Sequence, residues 1–360
     1  MDAEVDVAVV GGGVVGCAVA SALSRANRSV LLLEGGQRLG DGVTSRNSGV
    51  IHSGLYYAPK SLKAQTCVRG NALLYQWARA RGVPHAKPGK LVIARDAADV
   101  PDLEALAANA RASGAPAVEL VPAAFVHARE PSLLAAAALW CPETGIVDAV
   151  ELARSLATDA AEHGALVLTQ ARVRGIARAG AAYELDTARG PVRAERVVNA
   201  AGLHSDEVAA LAGVNRYQVH PWRGDYFRFT PAAPYRHLVY PVRRRGAAGL
   251  GVHLTLDLAG RCRLGPDVEH VARKDDYSPR EEKLPAFLAA ARALLGEVSA
   301  DQLAYDGCGI RPKLRAPSDP EEKDFVLSED LPGFVNLVGI ESPGLTAALA
   351  LAERVRALAG

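Results

Sequence analysis

Two short apolar runs near the start of the chain flank a helical pattern. Val5 to Val10 is an almost unbroken series of β-branched and small apolar residues, which is typical of a parallel strand buried on both faces. Val30 to Leu33 repeats this pattern, and the alanine- and leucine-rich stretch Val14 to Arg25 between the two runs suits a helix. The beginning of the chain therefore predicts a βαβ unit.

Helical and strand-like patterns alternate along the rest of the chain. Helical patterns recur at Ser61 to Ala80, Asp102 to Ala112, Val150 to His163, Pro285 to Leu295 and Ala347 to Leu358. Strand-like runs lie at Lys90 to Ala94, Ala165 to Leu168, Val197 to Asn199, Tyr226 to Phe229, Gly249 to Leu254, Phe325 to Leu327 and Phe334 to Val338. This alternation predicts an α/β fold with a mixed, α+β part in the middle.

The order of these patterns predicts that the first domain is discontinuous. Residues 165–203 look like a return to the first sheet, because the buried run Val197 to Asn199 is followed by Ala200, Ala201 and Gly202. We expect a Rossmann-like domain made of residues 1–80, 148–215 and 305–360. A second, mixed-sheet substrate domain would comprise residues 81–147 and 216–304.

Charge and cysteine content narrow the classes of function. Lysine and arginine number 41 against 40 acids, so no global field would attract nucleic acid, and we exclude nucleic-acid binding. The basic run at residues 243–245 is most simply a solvated loop. Five scattered cysteines without a Cys-x-x-Cys pair argue against a disulfide framework and against a metal site.

The uncharged segment Val7 to Ser24 resembles a signal peptide only superficially. Asp2, Glu4 and Asp6 precede it where a signal peptide carries positive charge, and Gly11 to Gly13 interrupts it. We therefore expect a cytoplasmic protein without a transmembrane helix. Peripheral contact with the inner face of a membrane is left open.

A glycine motif opens the first predicted helix. Gly11, Gly13 and Gly16 form Gly-x-Gly-x-x-Gly directly after a strand, which provides a tight turn, close approach of a pyrophosphate and close helix packing. Glu34 ends the second strand, where an acid accepts hydrogen bonds from ribose hydroxyls and disfavours the 2′-phosphate of NADP. NAD and FAD share this adenosine end, so the motif predicts a dinucleotide but does not choose between them.

The loop from Thr44 to Gly54 is dense in small hydroxyl residues and glycine. Such a loop can bring backbone N–H groups against a pyrophosphate and a flavin ring. The alternative is a surface loop, but Val50 and Ile51 would then be exposed to water.

Several strings in the chain carry a family resemblance. They are Glu34, Ser45-Arg46-Asn47-Ser48-Gly49-Val50-Ile51-His52-Ser53-Gly54-Leu55-Tyr56-Tyr57, Ser61-Leu62-Lys63-Ala64, Val198-Asn199-Ala200-Ala201-Gly202, Arg223-Gly224-Asp225-Tyr226, Tyr240-Pro241-Val242, Leu250-Gly251-Val252-His253-Leu254-Thr255 and Leu264-Gly265-Pro266. Together they resemble the L-2-hydroxyglutarate dehydrogenase branch of the D-amino-acid-oxidase-like flavoproteins. The resemblance extends over nearly the whole chain.

The resemblance implies that FAD is the cofactor and that the discontinuous first domain binds it. FAD would lie between the N-terminal loop and the segment Gly339 to Thr346, whose following helix would direct its positive end at the flavin N1/C2=O edge. The expected cofactor-binding residues are Gly11, Gly13, Val14, Val15, Gly16, Glu34, Gly35, Thr44, Ser45, Asn47, Ser48, Gly49, Val50, Val173, Ala201, Gly202, Gly344, Leu345 and Thr346.

The same resemblance implies oxidation of a small 2-hydroxy acid by hydride transfer to flavin N5, with electrons passed to quinone or another carrier. His52 or His253 would be the base, with a slight preference for His253. In some relatives a histidine near the position of His52 carries a covalent flavin link. Arg311 would bind the substrate carboxylate through its planar guanidinium. Tyr57, Arg223 and Tyr240 would line the substrate pocket.

Two departures from the family pattern leave the substrate open. Leu256 stands where the branch usually has an arginine, and Pro312-Lys313-Leu314 is closer to glycerol-3-phosphate and amine-oxidising relatives. Lys313 or Arg315 could supply the missing cation. The alternatives are a glycine-oxidase-like amino-acid or amine oxidase, a glycerol-3-phosphate dehydrogenase, and a flavin-binding subunit without catalysis.

Overall fold

The computed structural model describes residues 3–243 and 251–359. Arg244 and Arg245 of the basic run, and the beginning of the expected strand Gly249 to Leu254, lie outside these ranges. The helices within the ranges are α1 Val14–Ser24, α2 Leu62–Arg81, α3 Val100–Ala112, α4 Ala123–Arg129, α5 Ala149–Glu162, α6 Ser205–Leu211, α7 Leu284–Leu295 and α8 Gly344–Ala359.

The strands of the same ranges fall into three sheets. In chain order they are β1 Ala3–Val10, β2 Val30–Leu33, β3 Val50–Ile51, β4 His85–Ala86, β5 Lys90–Ala94, β6 Glu119–Pro122, β7 Ala137–Cys141, β8 Gly145–Val147, β9 Leu166–Leu168, β10 Val173–Ala179, β11 Ala182–Thr187, β12 Gly190–Asn199, β13 His220–Phe229, β14 Leu238–Pro241, β15 Leu254–Leu256, β16 Cys262–Leu264, β17 Glu269–His270, β18 Leu303–Lys313, β19 Val326–Leu331 and β20 Phe334–Val338.

The first sheet is built around β1. Its order is β10-β11-β12-β1-β2-β9, with β20 on β12 and β19 on β20. β1 runs parallel to both β2 and β12, and β9 runs parallel to β2. The expected βαβ unit is therefore confirmed, and residues 165–203 contribute β9 to β12 to the same sheet. The strands β10 and β11, which form an antiparallel extension, were not expected from the sequence.

The second sheet has the order β17-β13-β16-β15-β14-β5-β7-β6, and β18 pairs with β13. The long antiparallel register of β18 with β13 places residues 305–313 in this sheet. The sequence assigned residues 305–313 to the first domain, whereas in the structure they pair with β13 in the second sheet. A small third sheet joins β3, β8 and β4.

Helices α1, α2 and α5 are tied together by one buried carboxylate. Asp159 on α5 is fully buried and accepts hydrogen bonds from Ser21 Oγ at 2.5 Å and from Arg25 Nε at 2.7 Å, while Arg81 of α2 also pairs with it. Burial alone would raise the pKa of Asp159, but these hydrogen bonds and charges hold it below its usual value. Because its partners are positively charged, the carboxylate is stable in the interior.

Helices α2 and α8 approach each other at a bare backbone position. A Cβ atom on Gly70 of α2 would lie only 2.1 Å from the carbonyl oxygen of Thr346 in the first turn of α8. Only glycine allows this distance without moving α8.

In residues 3–243 and 251–359, no helix combines the length and the apolar character needed to cross a bilayer.

We predict that Gly70→Ala lowers the free energy of unfolding by about 2 kcal/mol, because the added methyl group overlaps the α8 backbone. Alanine is normally better than glycine inside a helix by about 1 kcal/mol, so destabilisation would reverse the usual sign. Thermal unfolding measures the effect. The matched control is Gln76→Ala on the exposed face of α2. A Gly70→Ala protein as stable as this control would contradict the prediction.

Candidate active site

A cavity of about 760 Å³ lies where the two large sheets meet. On one side it is bounded by the turns that follow β1 and β12, and on the other by side chains of β13, β14 and β18. β1 has β2 on one side and β12 on the other, so the turn after β1 is the point where the strand order reverses. Ligands bind at this position in open parallel sheets.

The glycine turn brings bare backbone to this cavity. Gly11 has φ of +113°, and a Cβ there would lie 2.4 Å from the carbonyl oxygen of Ala200. A Cβ on Gly16 would lie 1.8 Å from the carbonyl oxygen of Gly11, so α1 rests directly on the turn. Gly13, Val14 and Val15 therefore line the cavity, and the beginning of α1 gives it positive potential.

Glu34 lies beside this turn on the cavity wall. One carboxylate oxygen accepts a hydrogen bond from Gly12 N–H at 2.7 Å, and the other accepts one from Gly36 N–H at 2.5 Å. The carboxylate is thereby held at the end of β2, next to the beginning of α1. This is the arrangement that an adenosine ribose requires.

Polar side chains brace the loop that precedes β3. Thr44 Oγ1 accepts a hydrogen bond from Val14 N–H at 3.0 Å, and Asn47 Oδ1 accepts one from Gly49 N–H at 2.7 Å. Val50 and Ile51 are buried. The alternative of an exposed surface loop is therefore wrong, because the loop packs against α1 and the cavity.

The beginning of α8 closes the opposite wall. Gly344 and Leu345 line the cavity, and Thr346 is buried beneath them. The Thr346 hydroxyl accepts a hydrogen bond from His52 N–H at 3.0 Å and donates one to the carbonyl oxygen of Val50 at 3.3 Å. α8 is therefore joined to β3, and its positive end faces the cavity.

His52 and His253 both line the cavity. Nδ1 of His253 lies 2.9 Å from the carbonyl oxygen of Gly251, which can only accept, so Nδ1 carries the proton and Nε2 of the neutral ring is an acceptor. Nε2 of His52 lies 3.3 Å from the Ser342 hydroxyl.

Both cavity histidines are held neutral at physiological pH. Burial lowers the pKa of His253 to about 3; the Gly251 hydrogen bond opposes this shift, and the positive charges of Lys90 and Arg311 add to it. Burial lowers the pKa of His52 to about 3 as well, with further contributions from Lys90 and His253. A neutral imidazole can accept a proton from a bound molecule.

The guanidinium of Arg311 lines the same cavity and has no carboxylate partner among the described residues. Its hydrogen bonds in the described ranges go to the backbone carbonyl oxygens of Asp267 at 3.3 Å and Arg223 at 3.5 Å. It forms no ion pair with a carboxylate of the described residues. A planar guanidinium in this state is suited to binding the carboxylate of a ligand.

Arg223 does not reach the cavity, which corrects the expectation from the sequence. Gly224 and Tyr226 of β13 line the cavity, and side chains alternate along a strand, so Arg223 and Asp225 lie on the other face. Arg223 is fully buried and pairs with Asp225 at 2.6 Å. Its guanidinium is therefore satisfied within the protein.

Lys313 and Arg315 are also unavailable as substitutes for the missing family arginine. Lys313 Nζ lies 2.7 Å from Glu322 and 3.4 Å from Glu341, and Arg315 pairs with Glu322 at 3.2 Å. Tyr57 and Tyr240, in contrast, line the cavity.

Most of the expected cofactor-binding residues line the cavity. They are Gly11, Gly13, Val14, Val15, Glu34, Thr44, Asn47, Ser48, Val50, Ala201, Gly202, Gly344 and Leu345. Gly16, Gly35, Val173, Ser45, Gly49 and Thr346 are not part of its wall. Ser45 and Gly49 instead line a smaller neighbouring cavity of about 390 Å³. Val173 begins β10, where it pairs with Thr187 in the antiparallel extension of the first sheet.

Arg46 and Lys90 are among the cations near the cavity that the sequence did not predict for the site. Arg46 lines the cavity, and its guanidinium lies 4.1 Å from the ring centre of Tyr277. Its position inside the family string was a usable signal. Lys90 is fully buried behind the cavity wall, in an apolar strand where a lysine is unexpected.

The donor set of the cavity fits FAD. Bare backbone at Gly11 and Gly13 and the beginning of α1 would hold the pyrophosphate, and Glu34 would hold the adenosine ribose. The beginning of α8 and the loop at Ser48 to Val50 would hold the flavin, in the cavity that His52, His253 and Arg311 also line.

Comparison with known proteins agrees with this fit. The family described as FAD dependent oxidoreductase (DAO) matches residues 6–358. The mitochondrial L-2-hydroxyglutarate dehydrogenase of Arabidopsis thaliana is 35% identical over 98% of this chain and 83% of its own length. The human mitochondrial L-2-hydroxyglutarate dehydrogenase is 37% identical over 76% of this chain, and the match spans only 63% of that protein.

A solved structure gives the same result at the level of the fold. Dithionite-reduced L-alpha-glycerophosphate oxidase from Mycoplasma pneumoniae, with FAD bound, has a TM-score of 0.89 and is 25% identical, covering 99% of this chain and 94% of its own. The sequence-based expectations of an α/β fold and of FAD as the cofactor are therefore confirmed. The chain belongs to the DAO family of FAD-dependent oxidoreductases.

Proposed function

We propose that the protein oxidises a small 2-hydroxy dicarboxylic acid of the L-2-hydroxyglutarate type to the 2-oxo acid. The observation that carries the proposal is the neutral imidazole of His253, with Nε2 as acceptor, on the same cavity as the guanidinium of Arg311, which is bonded only to backbone carbonyls of the described residues. The relatives named L-2-hydroxyglutarate dehydrogenase, at 35% and 37% identity, support this choice of substrate class.

Each group in the site has a defined task in this reaction. Bound FAD supplies the acceptor for the hydride that leaves the substrate carbon. His253 Nε2 accepts the hydroxyl proton, and Arg311 holds the carboxylate next to the reacting carbon. His52 lines the same cavity, where it orients the hydroxyl or replaces His253 as the base. Tyr57 and Tyr240 exclude water from the reacting atoms.

Arg46 is our candidate for binding the distal carboxylate. Its backbone carbonyl oxygen packs against Gly309, where a Cβ atom would lie only 2.1 Å from that oxygen. Gly309 and Arg311 are two residues apart on β18, so they share one face of the sheet. The two guanidinium groups therefore reach the cavity from neighbouring positions, and a dicarboxylate could engage both.

We also propose that quinone or another carrier takes the electrons and that the protein acts in the cytoplasm. A quinone acceptor would require contact with the inner face of the membrane. If the protein reduces a soluble quinone analogue in the presence of substrate and consumes negligible oxygen, the result would support a carrier as the electron acceptor. Rapid peroxide formation would contradict it.

The alternatives differ in how they depend on the histidines. Glycerol 3-phosphate dehydrogenase of Caloramator mitchellensis is 29% identical over 96% of this chain and 72% of its own, which keeps a glycerol phosphate in the substrate panel. A deprotonated amine needs no strong base, so an amine oxidase should tolerate loss of both histidines. Bound flavin that no acid, amine or glycerol phosphate reduces would indicate a subunit without catalysis.

The cofactor assignment predicts the effect of removing the acid at the end of β2. Glu34→Ala should weaken FAD binding by about tenfold or more, because two backbone N–H groups and the ribose lose a charged acceptor. Titration of deflavinated protein with FAD measures the affinity. The control is Glu195→Ala, which removes an exposed acid from β12. Equal affinities in the two variants would contradict the role of Glu34.

The base assignment predicts a loss of turnover. His253→Gln should lower kcat for the 2-hydroxy acid by about 10²- to 10⁴-fold, and the double variant with His52→Gln should lower it at least as far. Anaerobic flavin bleaching in a stopped-flow instrument measures the rate directly. His127→Gln removes an exposed histidine far from the cavity and should react at the wild-type rate. A double variant that retains full activity would exclude this mechanism.

The two arginines predict different changes in substrate selectivity. Arg311→Met should lower kcat/KM by about 100-fold for every 2-hydroxy acid, because each has a carboxylate beside the reacting carbon. Arg46→Met should raise KM about tenfold for a dicarboxylate while leaving a monocarboxylate nearly unchanged. Arg228→Met on the exposed face of β13 is the control. An Arg46→Met protein that loses both substrates equally would rule out a distal carboxylate site.

A further inference from the structure

Lys90 is a buried cation in the second sheet. It begins β5, which lies between β14 and β7, and its side chain is fully buried. Its Nζ lies 4.6 Å from the ring centre of Tyr240 and 5.0 Å from that of Tyr56. Within the described ranges it forms no ion pair with a carboxylate.

A buried ammonium group without a carboxylate is costly to the fold. Burial lowers the pKa of Lys90 below its ordinary value, while the nearby thiols of Cys141 and Cys67 oppose that shift. The faces of two tyrosine rings compensate only part of the lost hydration. An apolar side chain would fill the same space at lower cost, so a structural role does not account for a lysine here.

The cation lies one layer behind the cavity. Tyr56 and Tyr240 line the cavity, whereas Lys90 does not. Tyr240 also stacks on the imidazole of His253, with ring centres 3.9 Å apart and an angle of 22° between the planes. Lys90, Tyr240 and His253 therefore form a continuous set of contacts from the sheet interior to the site of proton transfer.

We propose that Lys90 is a positioning residue whose buried ammonium, held behind Tyr56 and Tyr240, acts electrostatically on both the cavity histidines and the substrate oxygen. Its positive charge opposes protonation of His253 and His52 before substrate binds. The same charge stabilises negative charge on the substrate oxygen when the proton leaves. This inference rests on the proposed role of His253 as the base.

The direction of the effect follows from the groups around each histidine. Arg311 and Lys90 face His253 from β18 and β5, and the Gly251 carbonyl opposes them. Lys90 and His253 face His52, whose Nε2 also lies near the Ser342 hydroxyl.

The groups that face Lys90 itself are neutral at physiological pH, since burial raises the pKa of each. They are Tyr56, Tyr240, Cys67 and Cys141. Removing Lys90 therefore raises both histidine pKa values.

The test is an NMR titration of histidine-labelled holoenzyme, with the His253 and His52 signals assigned from the His253→Gln and His52→Gln variants. In Lys90→Met the pKa of His253 should rise by about one unit, because a charge at this distance in a protein interior shifts a neighbour by that order. Lys90→Arg should keep the wild-type titration. Lys87→Met removes a half-exposed lysine paired with Glu143 and should cause no shift.

An unchanged His253 titration in Lys90→Met would overturn the proposal. A wild-type His253 that titrates near its ordinary value of about 6.5 would also overturn it, even if the Lys90 variants did not fold. With substrate, the acid limb of kcat/KM should move upward in Lys90→Met by the same amount as the NMR titration. If the NMR shift occurs but no 2-hydroxy acid reduces the flavin, the proposed function fails and the control of the histidines by Lys90 remains.

Discussion

The hydroxyl of Thr346 holds the two walls of the active site together. It accepts from His52 and donates to Val50, and so joins the first turn of α8 to β3. The contact depends in turn on Gly70, which lets α2 lie against the backbone of that turn. Because the loop from Thr44 to Gly54 and the beginning of α8 both line the cavity, this one hydrogen-bonded junction fixes their relative position.

The sequence predicted the parts of the protein whose signal is local. The βαβ unit, Glu34 and the loop around Asn47 each carry their own pattern, since a buried parallel strand and a glycine turn are defined by neighbouring residues. The loop was recognised as internal because Val50 and Ile51 would not be left in water. Their burial agrees with that reasoning.

The parts that were missed depend on distant partners. β18 joins the second sheet because β13 supplies its backbone hydrogen bonds, and no local sequence pattern indicates this pairing. The register of β13 turns Arg223 away from the cavity, and a shift of one residue would have reversed that outcome. Lys90 looked like part of an ordinary apolar strand, since its meaning comes only from the two tyrosines that contact it from elsewhere in the chain.

In residues 3–243 and 251–359, the chain passes between the second sheet and the other two sheets four times, at β4–β5, β7–β8, α6–β13 and β18–β19. A domain joined by a single linker can swing open to admit a ligand, but several parallel connections resist such rotation. Access to the reacting atoms must then come from side chains and short loops at the rim. New substrate preferences could therefore arise from changes at the rim alone, while the cofactor half of the molecule keeps its shape.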